Sequence, residues 1–234
     1  MEMRHGTLAF FPMNEAQVRA IELLAQEYDF GWGSLHAHKV ADLATSIFDQ
    51  LSSLGLAAGM TLDDRRTLMA AGYAHDIGAS ARAQIETSPM PGWIEAFTEP
   101  DRHGEMAFYL LHKRLSTSSA ERLLGTLTPG DRSSLLYCLL WHASPAMYVL
   151  DIEPLFDRSR ALLLAGILRV ADGLDCEHRL RVRDVQIQKA SAWLRMLVRH
   201  FAPADEEIAR AKEKSDILSM ALCLRVFVQQ IVED

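Results

Sequence analysis

The sequence predicts a mainly α-helical fold closed by a small C-terminal α/β appendage, on three observations. Through most of the first 178 positions apolar residues recur at helical spacing, as in Val40, Leu43, Ala44, Ile47 and Leu51, the mark of a helix with one buried face. Helix-start chemistry precedes several of these runs. Thr61 stands three residues before Asp64, and Thr128 is followed by Pro129, matching a capping box and a proline at the first helical position. After His178 the period falls to two, with Leu194, Met196, Val198 and His200 alternating against Trp193, Arg195, Leu197 and Arg199, as in a strand.

In chain order, residues 14–28 read as a helix with Val18, Ile21 and Leu24 on one face. Asp29-Phe30-Gly31-Trp32-Gly33 breaks it, and Ser34 is the expected N-cap of a second helix reaching about residue 53. A third helix starts at the Thr61 box and ends at His75-Asp76, where Gly78 is expected to close it in the left-handed conformation. Residues 79–102 contain Pro89, Pro91, Gly92 and Pro100. They read as an irregular segment over a site mouth, with Trp93 and Phe97 as candidate substrate contacts. Helices are then expected from His103, over 118–124, from Pro129 through His142, and over 160–175. Strands are expected at 182–189, 192–200 and 225–232, with a helix over 203–222 before the last. The chain so divides into an N-terminal helical extension (1–34), a helical domain (35–178) and an α/β appendage (179–234).

At 234 residues, 49% hydrophobic and 24% charged, the chain suits a sizeable buried core. No run approaches the roughly 18 apolar residues of a membrane-spanning helix. The start, Met1-Glu2-Met3-Arg4-His5, lacks the basic and apolar regions of a signal peptide. Cys138, Cys176 and Cys223 are scattered without metal-type spacing and read as free thiols of a cytoplasmic protein. A net charge of −7 argues against broad nucleic-acid binding. No internal repeat is evident. The expected partner is a small soluble molecule, with homodimerisation left open.

Each main helix carries a histidine or aspartate at the edge of its apolar stripe. His36 begins one stripe, and His103 heads another through Ala107, Leu110 and Leu111. Leu68, Ala71, Gly72 and His75 stand at i, i+3, i+4 and i+7, as do Leu135, Cys138, Leu139 and His142, and Ala165, Leu168, Arg169 and Asp172. A polar group aimed into a core needs a partner. Any one of these residues reads as an ordinary hydrogen-bonded core residue, but five helices doing so together point to a metal centre. Imidazole and carboxylate without thiolate suit divalent Mn, Fe, Zn, Co or Mg. His38 lies about 200° around the helix from His36 and cannot share its face.

His36, His75-Asp76 and Asp172, in that order, resemble the H…HD…D signature of the HD-domain superfamily of metal-dependent phosphohydrolases. More narrowly, HAHKVADLATSIFDQL at 36–51, HDIG at 75–78 and LRVADGLDCEHRLRVRD at 168–184 are similar to the HD-like C-terminal domain of the exopolyphosphatase/guanosine pentaphosphatase family. The tail with Lys212 and Lys214-Ser215-Asp216 is also similar to it. The resemblance spans roughly residues 35–232 and implies an HD-domain helical bundle holding one or two divalent ions. It implies His36, His75, Asp76 and Asp172 on one ion, and Asp76 as a bridge to a second ion on His103 and His142. In a one-metal site His103 and His142 would instead be a catalytic acid or substrate contacts.

The implied activity is hydrolysis of a small phosphate ester by metal-activated hydroxide, with Asp76, His103 and His142 as catalytic residues. A nucleotide, with a pyrophosphorylated guanine nucleotide as one candidate, is the implied substrate class. The family's ATPase-like half has no counterpart in this sequence, so exopolyphosphatase activity is not implied. Many HD phosphodiesterases follow HDIG with lysine, where Ala79 stands here. The alternative reading is a non-catalytic regulatory module that binds a phosphorylated effector or a partner protein.

Phosphate also needs cationic contacts. Lys39 and Arg169, with Arg82 and Lys113, are candidates, as are Arg181 and Arg183 beside Arg179, Arg195 and Arg199; guanidinium meets phosphate through two parallel hydrogen bonds. The bland alternative is a solvated strand face pairing with Asp184 and with Asp205-Glu206-Glu207. Val185 and Ile187 share the parity of Arg181 and Arg183, so an apolar strand face here requires a bulge or a late strand start.

Overall fold

The apolar stripes become helices packed around one of their number. The structure, a computed structural model, describes residues 13–80, 102–112, 118–143 and 157–231. The helices are α1 (Glu15–Tyr28), α2 (Ser34–Ser53), α3 (Leu62–Ala74), α4 (His103–His112), α5 (Ser118–Gly125), α6 (Pro129–Ala143), α7 (Arg158–Gly173), α8 (Asp205–Glu213) and α9 (Asp216–Leu222). The strands are β1 (Val182–Lys189), β2 (Trp193–His200) and β3 (Arg225–Gln230). The fold is therefore mainly α with a small C-terminal sheet, as the hydrophobic periods predict.

Every residue of α7 from Leu163 to Gly173 is buried, as expected of a helix covered on all sides. It packs against α2, α3, α6, α8 and α9. One continuous apolar core joins Ile21 of α1, Leu168 of α7 and Val198 and Val228 of the sheet, so the N-terminal helix and the appendage share the core of the helical body. Among the described residues no helix is long and apolar enough to cross a membrane. The three cysteines are free.

Local chemistry departs from the sequence expectation at three helix ends. Gly33, not Ser34, is the N-cap of α2, with φ +97° and no side-chain cap bond; the chain enters this helix through a conformation that glycine tolerates. His75 and Asp76 form a turn, and a new helical turn occupies 77–80. Gly78 does not close α3, since it is not among the positive-φ residues. Its small size serves a close approach instead: a Cβ there would stand 2.1 Å from the His103 carbonyl oxygen and 2.7 Å from the Ala107 nitrogen. The helix expected over 203–222 is broken at Lys214-Ser215 into α8 and α9.

The sheet has order β1-β2-β3, antiparallel between β1 and β2 and parallel between β2 and β3. The register shifts between Val182 and Asp184, which is the bulge that the strand parity demands. It lets Val182, Val185 and Ile187 all face the core while Arg183 stays exposed. The β1 edge is covered by Gln50 of α2, which donates to the Val185 carbonyl at 2.8 Å and accepts from the Ile187 amide at 2.8 Å, satisfying edge groups that would otherwise be open to pairing.

One ion cluster ties together the starts of two helices. Thr61 and Asp64 form a capping box on α3; at α6, Thr128 Oγ1 donates to Asp131 Oδ2 at 2.6 Å and accepts from the Asp131 amide at 3.2 Å. Arg160 of α7 donates to both Asp64 and Asp131, and both carboxylates are buried. Arg160→Met would leave two buried carboxylates facing each other without a cation. Because the Arg160 side chain is 21% exposed, the expected loss is about 2–3 kcal/mol, below the cost of breaking a fully buried pair. A urea midpoint unchanged from wild type would contradict this.

Candidate metal centre

Both oxygens of one carboxylate are spoken for by histidines. Asp76 Oδ2 lies 3.3 Å from His36 Nε2 and 3.1 Å from His75 Nε2. Asp76 Oδ1 lies 3.2 Å from His103 Nε2 and 3.7 Å from His142 Nε2. Within each pair the Nε2 atoms are 3.2 Å apart (His36 and His75) and 3.1 Å apart (His103 and His142). Asp172 Oδ1 joins the first pair at 3.7 Å from both nitrogens. The structure thus brings together the six residues that the stripes single out. All are buried except His103, whose side chain is 23% exposed.

Adjacent helical residues project about 100° apart, so His75 and Asp76 reach one point because α3 stops at Ala74 and gives way to a turn. Hydrogen bonds on the far side of the rings fix the protons. His75 Nδ1 is 2.8 Å from the Gly72 carbonyl and His142 Nδ1 is 2.8 Å from the Leu139 carbonyl. A carbonyl only accepts, so each Nδ1 carries the proton and donates it. His36 Nδ1 is likewise 2.9 Å from Asp175 Oδ2. In the neutral rings each Nε2 then turns a lone pair toward Asp76, the arrangement that orients metal-ligating histidines.

Lone pairs converging on carboxylates need a cation between them. Donor atoms sharing one ion at bonds of about 2.1 Å sit roughly 3.0–3.5 Å apart, and the observed separations run from 3.1 to 3.7 Å. The residue set fits one or two divalent ions of the class that accepts nitrogen and oxygen donors. The donor atoms fall into three overlapping groups close enough to share an ion: His36, His75 and Asp76; His75, His142 and Asp172; and Asp76, His103 and His142.

In the metal-free cluster protons supply the positive charge. Burial alone would lower the pKa of His75, but the adjacent Asp76 and the bond to Asp172 carry it up to about 10. Burial also opposes protonation of His36 and His103; bonds to Asp175 and Asp76 raise the former, and Asp76 raises the latter. Burial wins at His142 and holds it down to about 4. Asp76 stays ionised well below the usual range despite burial, because His75 and the other three rings surround it. Asp172 does so as well, against burial, through Lys214 and His75.

The resemblance covers several supporting residues without giving them a role at the cluster. Asp175 stands three positions beyond Asp172 and orients His36; that one-turn spacing was its only signal. Lys214 reaches across from the α8–α9 break to donate to Asp172 Oδ2. The His178 ring lies against His36, with centroids 4.0 Å apart. Nothing in the local pattern marks Lys214 or His178 as neighbours of the cluster, because tertiary packing brings them there.

The cations expected to meet phosphate hold protein groups. Lys39 donates to the Arg183 carbonyl at 3.0 Å. Arg169 is buried, grips Asp216 with two bonds and donates to the Trp141 and His142 carbonyls at 2.8 and 3.0 Å, so it steadies the end of α6 that carries a ligand. Arg181 pairs with buried Glu207, and Arg183 and Arg199 pair with Asp184. His38 meets the edge of Tyr73, with centroids 5.1 Å apart. Trp93, Phe97, Arg82 and Lys113 lie outside the described residues.

The two histidine pairs share one spacing. Moving 67 positions along from His36, Thr61, Asp64, Arg65 and His75 reaches His103, Thr128, Asp131, Arg132 and His142, with identical residue types. Both histidine pairs therefore have a separation of 39 residues. The position equivalent to Asp76 is Ala143, so a single carboxylate serves both pairs. Neither a protein-family model nor a curated protein sequence matches the chain.

The pKa directions set a pH dependence. His75 ordinarily titrates at 6.5 and here near 10, so its extra proton stabilises the metal-free fold below 6.5, and that stability is lost as pH rises toward 10. A metal must displace the proton. At pH 7, loading with zinc or manganese is expected to release about one proton or more per chain, read from the dependence of the calorimetric heat on buffer ionisation enthalpy. Affinity should weaken as pH falls; a heat independent of buffer would refute the protonated apo centre.

Proposed function

We propose that the chain is an HD-type, metal-dependent phosphohydrolase acting on the phosphate ester of a small soluble molecule, with a nucleotide as the leading candidate. The observation that carries this reading is the Asp76 carboxylate divided between two histidine pairs. When bound, divalent ions at such a centre acidify a water and neutralise charge on the phosphoryl group. Asp76 would bridge them, with His36, His75 and Asp172 on one side and His103 and His142 on the other.

The chain's own contribution is preorganisation. Gly72, Leu139 and Asp175 hold three rings in one tautomer, so the ligands need no rearrangement to receive a cation. The ligand side chains other than His103 are buried, which strengthens each electrostatic contact. His103 is the partly exposed ligand, so the substrate would approach from its side. Lys214 Nζ adds a positive charge at the Asp172 edge.

The test is a phosphate-release screen over nucleotides and sugar phosphates with manganese, cobalt, magnesium or zinc. Metal-dependent release is expected, abolished by Asp76→Ala. Asp175→Asn, which alters the orienting bond to His36 while Oδ1 can still accept from the Leu180 amide, is expected to lower metal affinity or activity about 10- to 100-fold. Release that survives Asp76→Ala at the wild-type rate would overturn the proposal. A full metal complement with no release from any ester would favour a non-catalytic module that binds a phosphorylated effector.

A further inference from the structure

Three rings run outward from the ligand cluster to the surface. His36 is buried at the cluster. The His178 ring lies beside it, inclined by 34°. The Trp32 indole follows, with its centroid 5.7 Å from His178 and inclined by 48°. Trp32 is 58% exposed, although tryptophan is highly buried on average.

The backbone on both sides of this row is left-handed at several residues, at a cost for Phe30, His178 and Leu180. Asp29, Phe30, Gly31 and Gly33 have φ of 45°, 52°, 89° and 97°; His178 and Leu180 have φ of 54° and 53°. Left-handed backbone at non-glycine residues persists only where the surroundings enforce it, and it gathers at ligand clamps. The enforcement is visible here. A Cβ on Gly31 would stand 1.9 Å from the Asp76 carbonyl oxygen, and Ser80 Oγ donates to the Gly31 carbonyl at 3.2 Å. The turn that carries Trp32 is laid directly on the peptide of the shared carboxylate.

We infer that Trp32 and His178 form a stacking ledge for a planar heteroaromatic ring of the ligand, a nucleobase by chemical class, whose phosphate lies at the cluster. Two ring-to-ring steps, 4.0 and 5.7 Å, separate the indole from a ligand imidazole, a span comparable with a nucleoside monophosphate. Every nucleobase offers a π-face, so such a ledge favours nucleotides over sugar phosphates without selecting strongly among bases. For its phosphate end alone, the inference rests on the phosphohydrolase reading.

The experiment compares non-hydrolysable phosphonate analogues of AMP and of ribose 5-phosphate, titrated by calorimetry into the metal-loaded full chain. Metal content is measured alongside for wild type, Trp32→Ala and Trp32→Phe. Wild type is expected to prefer the adenosine compound by about tenfold or more. Trp32→Ala should remove most of that preference while leaving metal content and the ribose compound's affinity unchanged, and Trp32→Phe should keep it. Equal affinity of wild type for the two compounds overturns the ledge, as does a Trp32→Ala protein that weakens both equally or keeps the preference. A Trp32-dependent preference in a protein that hydrolyses no ester supports the ledge and removes the hydrolase. Metal-dependent hydrolysis of AMP and ribose 5-phosphate with equal affinities removes the ledge and leaves the hydrolase standing.

Discussion

A buried carboxylate must be surrounded by positive charge or hydrogen-bond donors, and the fold is organised around meeting that demand at Asp76. Its partners come from α2, α3, α4 and α6, and α7 adds Asp172 to the same cluster. Each of those helices ends, begins or bends where its ligand sits. α3 gives way to a turn at His75-Asp76, and α4 begins at His103. The neighbouring Gly78 lets α4 approach without a side chain between. A cation received there, proton or metal, would therefore act on the packing of five helices at once, and its binding free energy would in part be folding free energy.

Much of this was legible in the residues. Stripe and cap signals located the helices, and the shared position of His36, His75, His103, His142 and Asp172 at stripe edges named the cluster, because a helix's inward face is a periodic property. What stayed hidden depends on contacts between distant segments. Gly78 looked like a helix terminator because glycine commonly is one; the reason for it lies in the backbone of α4. The break at Lys214-Ser215 carries only a slight local signal, a serine that becomes the N-cap of α9 without a side-chain cap bond. Arg169 fitted a phosphate contact by charge alone, yet Asp216 and two carbonyls at the end of α6 claim it.

The C-terminal appendage is more than a cover. Lys214 touches a ligand carboxylate, Asp216 holds the arginine that steadies the His142 end of α6, and Glu207 pairs with Arg181. All three come from α8, α9 or the break between them. The small sheet fixes where those helices lie by pairing β3 beside β2 and by docking β1 on Gln50. Body and appendage therefore act as one unit at the cluster, consistent with the single core they share.

The Arg160 clamp also works as a gauge of length. It grips Asp64 and Asp131 at the starts of α3 and α6, and each of those helices delivers its histidine eleven positions later, at His75 and His142. A helix turns about 100° per residue, so one inserted or deleted residue in either run would swing its imidazole away from Asp76 while the clamp held the other end still. Geometry therefore holds these two intervals to a fixed length. Distant kin of this chain are to be sought by a shared interval between acid and histidine, counted twice, rather than by resemblance letter by letter.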